Sequence, residues 1–141
     1  MGLDNGFILK DRNHPDVAFE VGYFRNYYEL DRWVRENCKY ITEDGEGEYT
    51  FLDSDCEKLL SVITPIYRRL AKLTPEKISY YDDYGYPKRF MILHHGNDFN
   101  PFGSPSAFPG SKLIDLYISL NAISDILYYN KDAYVTFYHS S

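Results

Sequence analysis

Between Val21 and Asn37 the chain changes its hydrophobic period, which happens only where one kind of element gives way to another. Up to Tyr23, the residues Phe19, Val21 and Tyr23 alternate with Glu20 and Gly22, the period-2 pattern of a strand. From about Asn26 the apolar residues recur at helical spacing. Tyr27, Leu30, Val34 and Cys38 fall on one stripe, and Tyr23 at the mouth extends it. This predicts a helix from about Asn26 to Cys38 with that stripe in the core. Its opposite side collects Arg25, Tyr28, Arg32 and Arg35, and Arg25 with Glu29 and Arg32 with Glu36 are spaced to pair at i,i+4.

The rest of the chain adds elements on either side. Gly6 to Lys10 and Ala18 to Tyr23 read as an antiparallel hairpin, because the intervening Asp11-Arg12-Asn13-His14-Pro15-Asp16 is turn chemistry. Tyr49 to Leu52 reads as a short strand. Ser54 and Glu57 form a capping box for a second helix, in which Cys56, Leu59, Leu60, Ile63, Tyr67 and Leu70 keep one phase to Leu73. Pro65 lies inside it, so a kink or two pieces nearly end to end are expected. Ile78 to Tyr81 and Arg89 to His95 read as a second hairpin, and Gly96 to Gly110 as a long loop. Lys112 to Tyr129 reads as a third helix with Leu113, Tyr117, Leu120, Ile123 or Ser124, and Leu127 inward, and Ala133 to Tyr138 as a last strand. Residues 1–141 are thus expected to form one α+β domain, an antiparallel sheet of about five strands with three helices packed on one face.

Charge and composition restrict function. A net charge of −6 opposes non-specific binding to nucleic acid, which needs a surplus of Lys and Arg. Fifteen tyrosines in 141 residues suit contact surfaces as well as cores, since the ring can be buried while the hydroxyl stays wet. No apolar run reaches the length of a membrane span, and MGLDNGFILK lacks the basic start and apolar core of a signal peptide, so a cytoplasmic protein is expected. Cys38 and Cys56 stand apart, without a second pair, and are expected to be reduced thiols.

The chemistry-bearing stretches are few. No phosphate-binding loop, dinucleotide fingerprint, nucleophile elbow or zincin motif is present, and no cofactor or metal is expected. Adjacent residues on a strand point to opposite faces, so His94 and His95 would not share a metal there. Either could act with His139 as acid and base, with an arginine such as Arg25 or Arg32 holding phosphate. The acidic stretch Glu43, Asp44, Glu46 and Glu48 looks like an exposed loop, read either as a solvated loop or as a phosphate-mimicking surface.

Met1-Gly2-Leu3-Asp4 before a strand, Tyr23-Phe24-Arg25 entering a helix with Trp33 eight residues after the arginine, and Phe102-Gly103-Ser104 before a final helix carry a likeness across most of the chain. They resemble an uncharacterised family of small phage and bacterial proteins, which carries Tyr-Trp-Arg where this chain has Tyr23-Phe24-Arg25. The resemblance implies a phage or prophage source and, by association, an inhibitor of host defence. The leading expectation is a non-enzymatic protein that binds and inhibits a host protein or ribonucleoprotein complex, such as a CRISPR effector, inside the host cell. Its contact residues would be Glu43, Asp44, Glu46, Glu48, Arg25, Tyr28, Arg32 and Phe102. A small nucleotide- or phosphate-binding protein or phosphodiesterase is the alternative, and a virion or structural protein the next.

Overall fold

The structure is a computed structural model and describes residues 2–41, 48–71, 102 and 110–140. The element order is β1 (Asp4–Asp11), β2 (His14–Arg25), α1 (Tyr28–Asn37), β3 (Tyr40–Ile41), β4 (Glu48–Phe51), α2 (Asp53–Ala71), α3 (Gly110–Tyr129) and β5 (Ala133–Ser140). The five strands form one antiparallel sheet in the order β2-β1-β5-β4-β3. The expected second hairpin, Ile78 to Tyr81 with Arg89 to His95, lies outside the described residues.

Strand alternation sorts the sheet into two faces. Phe7 of β1, Phe24 of β2, Phe137 and Val135 of β5, and Tyr49 and Phe51 of β4 lie on one face. They share a single buried cluster with Tyr27, Leu30 and Val34 of α1, Cys56, Leu59 and Ile63 of α2, and Leu113, Leu116, Leu120 and Ile123 of α3. All three helices therefore pack on this core face. Phe7 is the hub, with its ring centroid 4.7 Å from Phe51 and 5.2 Å from Phe137. Gly22 lets α3 come close, because a Cβ there would stand 2.7 Å from the Ser119 hydroxyl oxygen and 3.3 Å from the Phe7 ring.

The passage from strand to helix differs from the period reading in one respect. β2 continues to Arg25, two residues past Tyr23, and α1 starts at Tyr28. Asn26 makes the turn with φ 59°, a left-handed conformation that Asn tolerates better than most residues. It is pinned on both sides: its N–H donates to the Leu3 carbonyl at 2.6 Å, and its Oδ1 accepts from the Leu3 N–H at 2.9 Å. Tyr23 is consequently a strand residue on the other face, 53% exposed, and not part of the core stripe. Tyr27, Leu30 and Val34 are buried as expected, and Cys38 is half-buried.

One local expectation is also revised. α2 begins at Asp53, and the side chain that returns to the chain before it is that of Asp55, which accepts from the Leu52 N–H at 3.0 Å. The helix runs as one element with Pro65 inside. Both thiols are pushed up to about 12, chiefly by burial, and Cys56 donates to the Leu120 carbonyl at 3.3 Å.

Candidate functional site

The face of the sheet turned away from the core cluster collects the polar side chains of the central strands. β1 contributes Asp4, Gly6, Ile8 and Lys10, and β2 contributes Glu20, Tyr23 and Arg25 opposite them. β5 contributes Tyr134, Thr136 and Tyr138 on the other flank of β1, with Glu48 and Thr50 of β4 beyond. Such alternation between a buried and a polar side is what an antiparallel sheet covered on one face requires.

Three of these side chains converge at one end. The Tyr23 hydroxyl donates to Asp4 Oδ1 at 2.6 Å, and Arg25 Nη1 donates to the same oxygen at 2.7 Å. The Tyr23 bond first and the Arg25 bond second hold the Asp4 carboxyl below its ordinary range, while the Tyr23 phenol is raised chiefly by its bond to Asp4. Across the middle of the face, Tyr138 donates to Glu20 Oε1 at 2.5 Å. Burial, then that bond, raises the Tyr138 phenol. Gly6 makes the crossing feasible: a Cβ there would run into the Gly22 carbonyl and stand 3.2 Å from the Tyr138 ring. Further along, Lys10 pairs with Glu48 at 3.4 Å on a diagonal over Thr136, which is only 1% exposed although it belongs to this face.

A second polar group sits at the edge of the core face, between α1 and the end of β5. His139 Nδ1 is 2.8 Å from Asp31 Oδ1, and Arg35 Nε is 3.8 Å from Asp31 Oδ2. The Asp31 side chain is 11% exposed and that of His139 31%. Tyr49 stands edge-on to the imidazole, with centroids 5.9 Å apart. Asn5 faces His139 across the β1–β5 ladder, donates to the Tyr27 carbonyl at 2.9 Å, and is fully buried with Oδ1 lacking a partner among the described residues.

The structure scatters the residues singled out in the sequence. Arg25 belongs to β2 and its ion pair is with Asp4, not the expected helical Glu29. Arg32 and Glu36 are exposed and form no ion pair with each other; the i,i+4 pair that forms on α1 is Asp31 with Arg35. Tyr28 is exposed beside Asn26, 3.5 Å from its Oδ1. Phe102 packs edge-on against Tyr27 with centroids 6.2 Å apart and joins the rim of the core. Glu48 is a strand residue, half-buried and paired with Lys10, where an exposed loop is expected. Glu43, Asp44, Glu46, His94 and His95 lie outside the described residues. His139 and Arg25 fall on opposite faces of the sheet, since the first aligns with Asn5 and the second with Asp4.

Sequence reasoning misses Asp4, Glu20, Tyr138 and Asp31. The contacts that distinguish the last three are long-range: Glu20 with Tyr138 spans 118 residues of chain, and Asp31 with His139 spans 108. Among the described residues no group of three or more His, Cys, Asp and Glu side chains could hold a metal ion, and no helix is long and apolar enough to cross a membrane. No family model, curated protein or solved structure matches the chain, so its function has to be read from these residues.

Proposed function

We propose that the chain is a non-enzymatic binding protein that engages a macromolecular partner through the polar face of its sheet. The observation that carries this reading is the Asp4–Tyr23–Arg25 group, in which an aromatic and a guanidinium, both more than half exposed, are tied to one carboxylate. Tyrosine and arginine are the residues that most often anchor interfaces, and side chains already held in one rotamer lose less freedom on binding. The inhibitor form of the reading, with a host defence complex as partner, draws its support from the net charge of −6, which favours a partner with a basic surface.

A paired variant tests it. The wild-type chain and a Tyr23→Ala/Arg25→Ala variant are each used to capture proteins from host lysate, with Tyr128→Ala/Tyr129→Ala at the end of α3 as control. A partner that is retained by the control and lost from the face variant is the expected result. Equal capture by all three would overturn the polar-face reading.

The phosphate-handling alternative is favoured by one observation, the seating of His139 on the buried Asp31, an arrangement that orients an imidazole for proton transfer. Its test is a thermal-shift screen with nucleotides and cyclic nucleotides. A ligand at 100 times its Kd stabilises by about 2.7 kcal/mol, and His139→Ala would abolish the shift. Absence of any shift and of turnover would dismiss it.

A further inference from the structure

The two carboxylates on the polar face are in different states. Asp4 receives both the Tyr23 hydroxyl and the Arg25 guanidinium, so its charge is neutralised within the chain. Glu20 is exposed and receives only the Tyr138 hydroxyl, and it forms no ion pair among the described residues. Two cations of this face among the described residues are occupied elsewhere: Arg25 by Asp4, and Lys10 by Glu48.

Tyr138 is placed to act with it. Its strand, β5, is separated from β2 by β1, so its hydroxyl reaches Glu20 only if the side chain lies down across the sheet. Two strand spacings amount to about 10 Å, more than a tyrosine standing upright can cover. Gly6 beneath, with the ring 3.2 Å from where its Cβ would be, leaves the room. The result is an aromatic ring laid over the sheet with a carboxylate at its tip that has no cationic partner among the described residues. Burial first, and then the bond to Glu20 and its charge, raise the Tyr138 phenol.

The geometry points to an arginine of a basic protein segment as the group this place receives, its guanidinium over the Tyr138 ring and its N–H fork on Glu20. This rests on the polar face being the contact surface and names the chemistry of the partner. A guanidinium satisfies both features at once, because it is planar enough to stack on a ring and carries a donor pair that matches a carboxylate. An ammonium answers the charge without the stacking geometry. Phosphate is disfavoured, since Glu20 would meet it charge to charge.

The test is a two-dimensional amide NMR titration of the full chain at low salt with three probes. These are a pentapeptide Gly-Arg-Gly-Arg-Gly with blocked ends, its lysine counterpart, and an oligouridylate. The arginine peptide is expected to shift the amides of Gly6, Glu20 and Tyr138, and to bind up to roughly five-fold more tightly than to Glu20→Gln, in line with the loss of one surface ion pair. Tyr138→Phe keeps the ring and should keep binding, whereas Tyr138→Leu should lose it; the dispersion of each spectrum reports whether the variant is folded. Equal affinity for the lysine peptide, shifts centred elsewhere, or preferential binding of the oligouridylate would overturn the inference. So would a spectrum that changes on dilution without peptide, which would mark a second copy of the chain as the occupant. Silence with the arginine peptide, while Tyr23→Ala/Arg25→Ala still loses its captured partner, would remove the arginine and leave the binding face standing. Silence together with undiminished capture would remove both.

Discussion

The two faces of the sheet are made by the same strands, residue by alternate residue, yet they solve opposite problems. On the core face, Phe7, Phe51 and Phe137 meet ring to ring, and a small residue, Gly22, lets a helix approach. On the polar face the small residue is Gly6, and what lies over it is a tyrosine from the next strand. Glycine thus serves close packing on both sides, of a helix in one case and of a single ring in the other. The core face gains from area removed from water, whereas the polar face gains from hydrogen bonds between exposed groups, which are worth less individually. Stability should accordingly reside on one face and specificity on the other.

Substitutions can break that division in order of expected effect. Phe137→Ala removes a fully buried ring from the hub and should cost about 3–5 kcal/mol of unfolding free energy, measured by urea denaturation. Gly6→Ala forces a methyl group against the Gly22 carbonyl and the Tyr138 ring and should cost about 1–3 kcal/mol, while the loss of Tyr138 from its place is read by NMR. A cost as large as that of Phe137→Ala would mean that the polar face is as structural as the core. Thr136→Val should stabilise by about 1 kcal/mol, because Thr136 is buried, its hydroxyl oxygen has no partner among the described residues, and valine suits a strand. A loss of stability would show that the hydroxyl has a bridging role.

The smallest effect is a pH dependence. Asp4 is held below the ordinary carboxylate value of about 3.9, so the folded state binds its proton more weakly than the unfolded chain does. Its contribution is therefore present above that value and is lost as the pH falls through the lowered folded value. The stability difference between the wild type and Asp4→Asn should be slight at pH 7 and vanish on acidification to about pH 2. A difference that grew as the pH fell would reverse the assigned role of the Tyr23 and Arg25 bonds.

What was legible in the sequence follows the same split. The core face announces itself through periodicity: the Tyr27-Leu30-Val34 stripe and Leu113, Leu120 and Ile123 of α3 are where spacing puts them, and the hairpin is present with longer strands that take in Asp11 and His14 to Asp16 of the expected turn. Leu116 is missed because its neighbour Tyr117 also fits the helical phase; the structure gives Leu116 the buried position and Tyr117 a stack on Tyr67 with centroids 3.7 Å apart. Arg25 was legible as a notable residue but not as a strand residue, and Tyr23, read both as the end of the strand and as the mouth of the helical stripe, belongs to the strand alone. The boundary is set by Asn26 and its bonds to Leu3, which no local pattern reveals. The partners on the polar face depend on strand order, and strand order depends on which hairpin β5 joins. Neither is a property of a window of sequence.

That position of β5 has a kinetic consequence. β1–β2 and β3–β4 are each contiguous or nearly so in sequence, but they do not touch one another in the sheet, and β5, which follows every other described element, fills the gap between them. The ladder between β1 and β5 joins residues as far apart as Asp4 and Ser140, so closing it carries the loop-entropy cost that makes folding slow. During synthesis the first hairpin and its helix emerge well before the strand that unites them, with the inner edges of β1 and β4 still unpaired. The protein is therefore assembled by its last strand, and its most aggregation-prone moment falls just before that strand arrives.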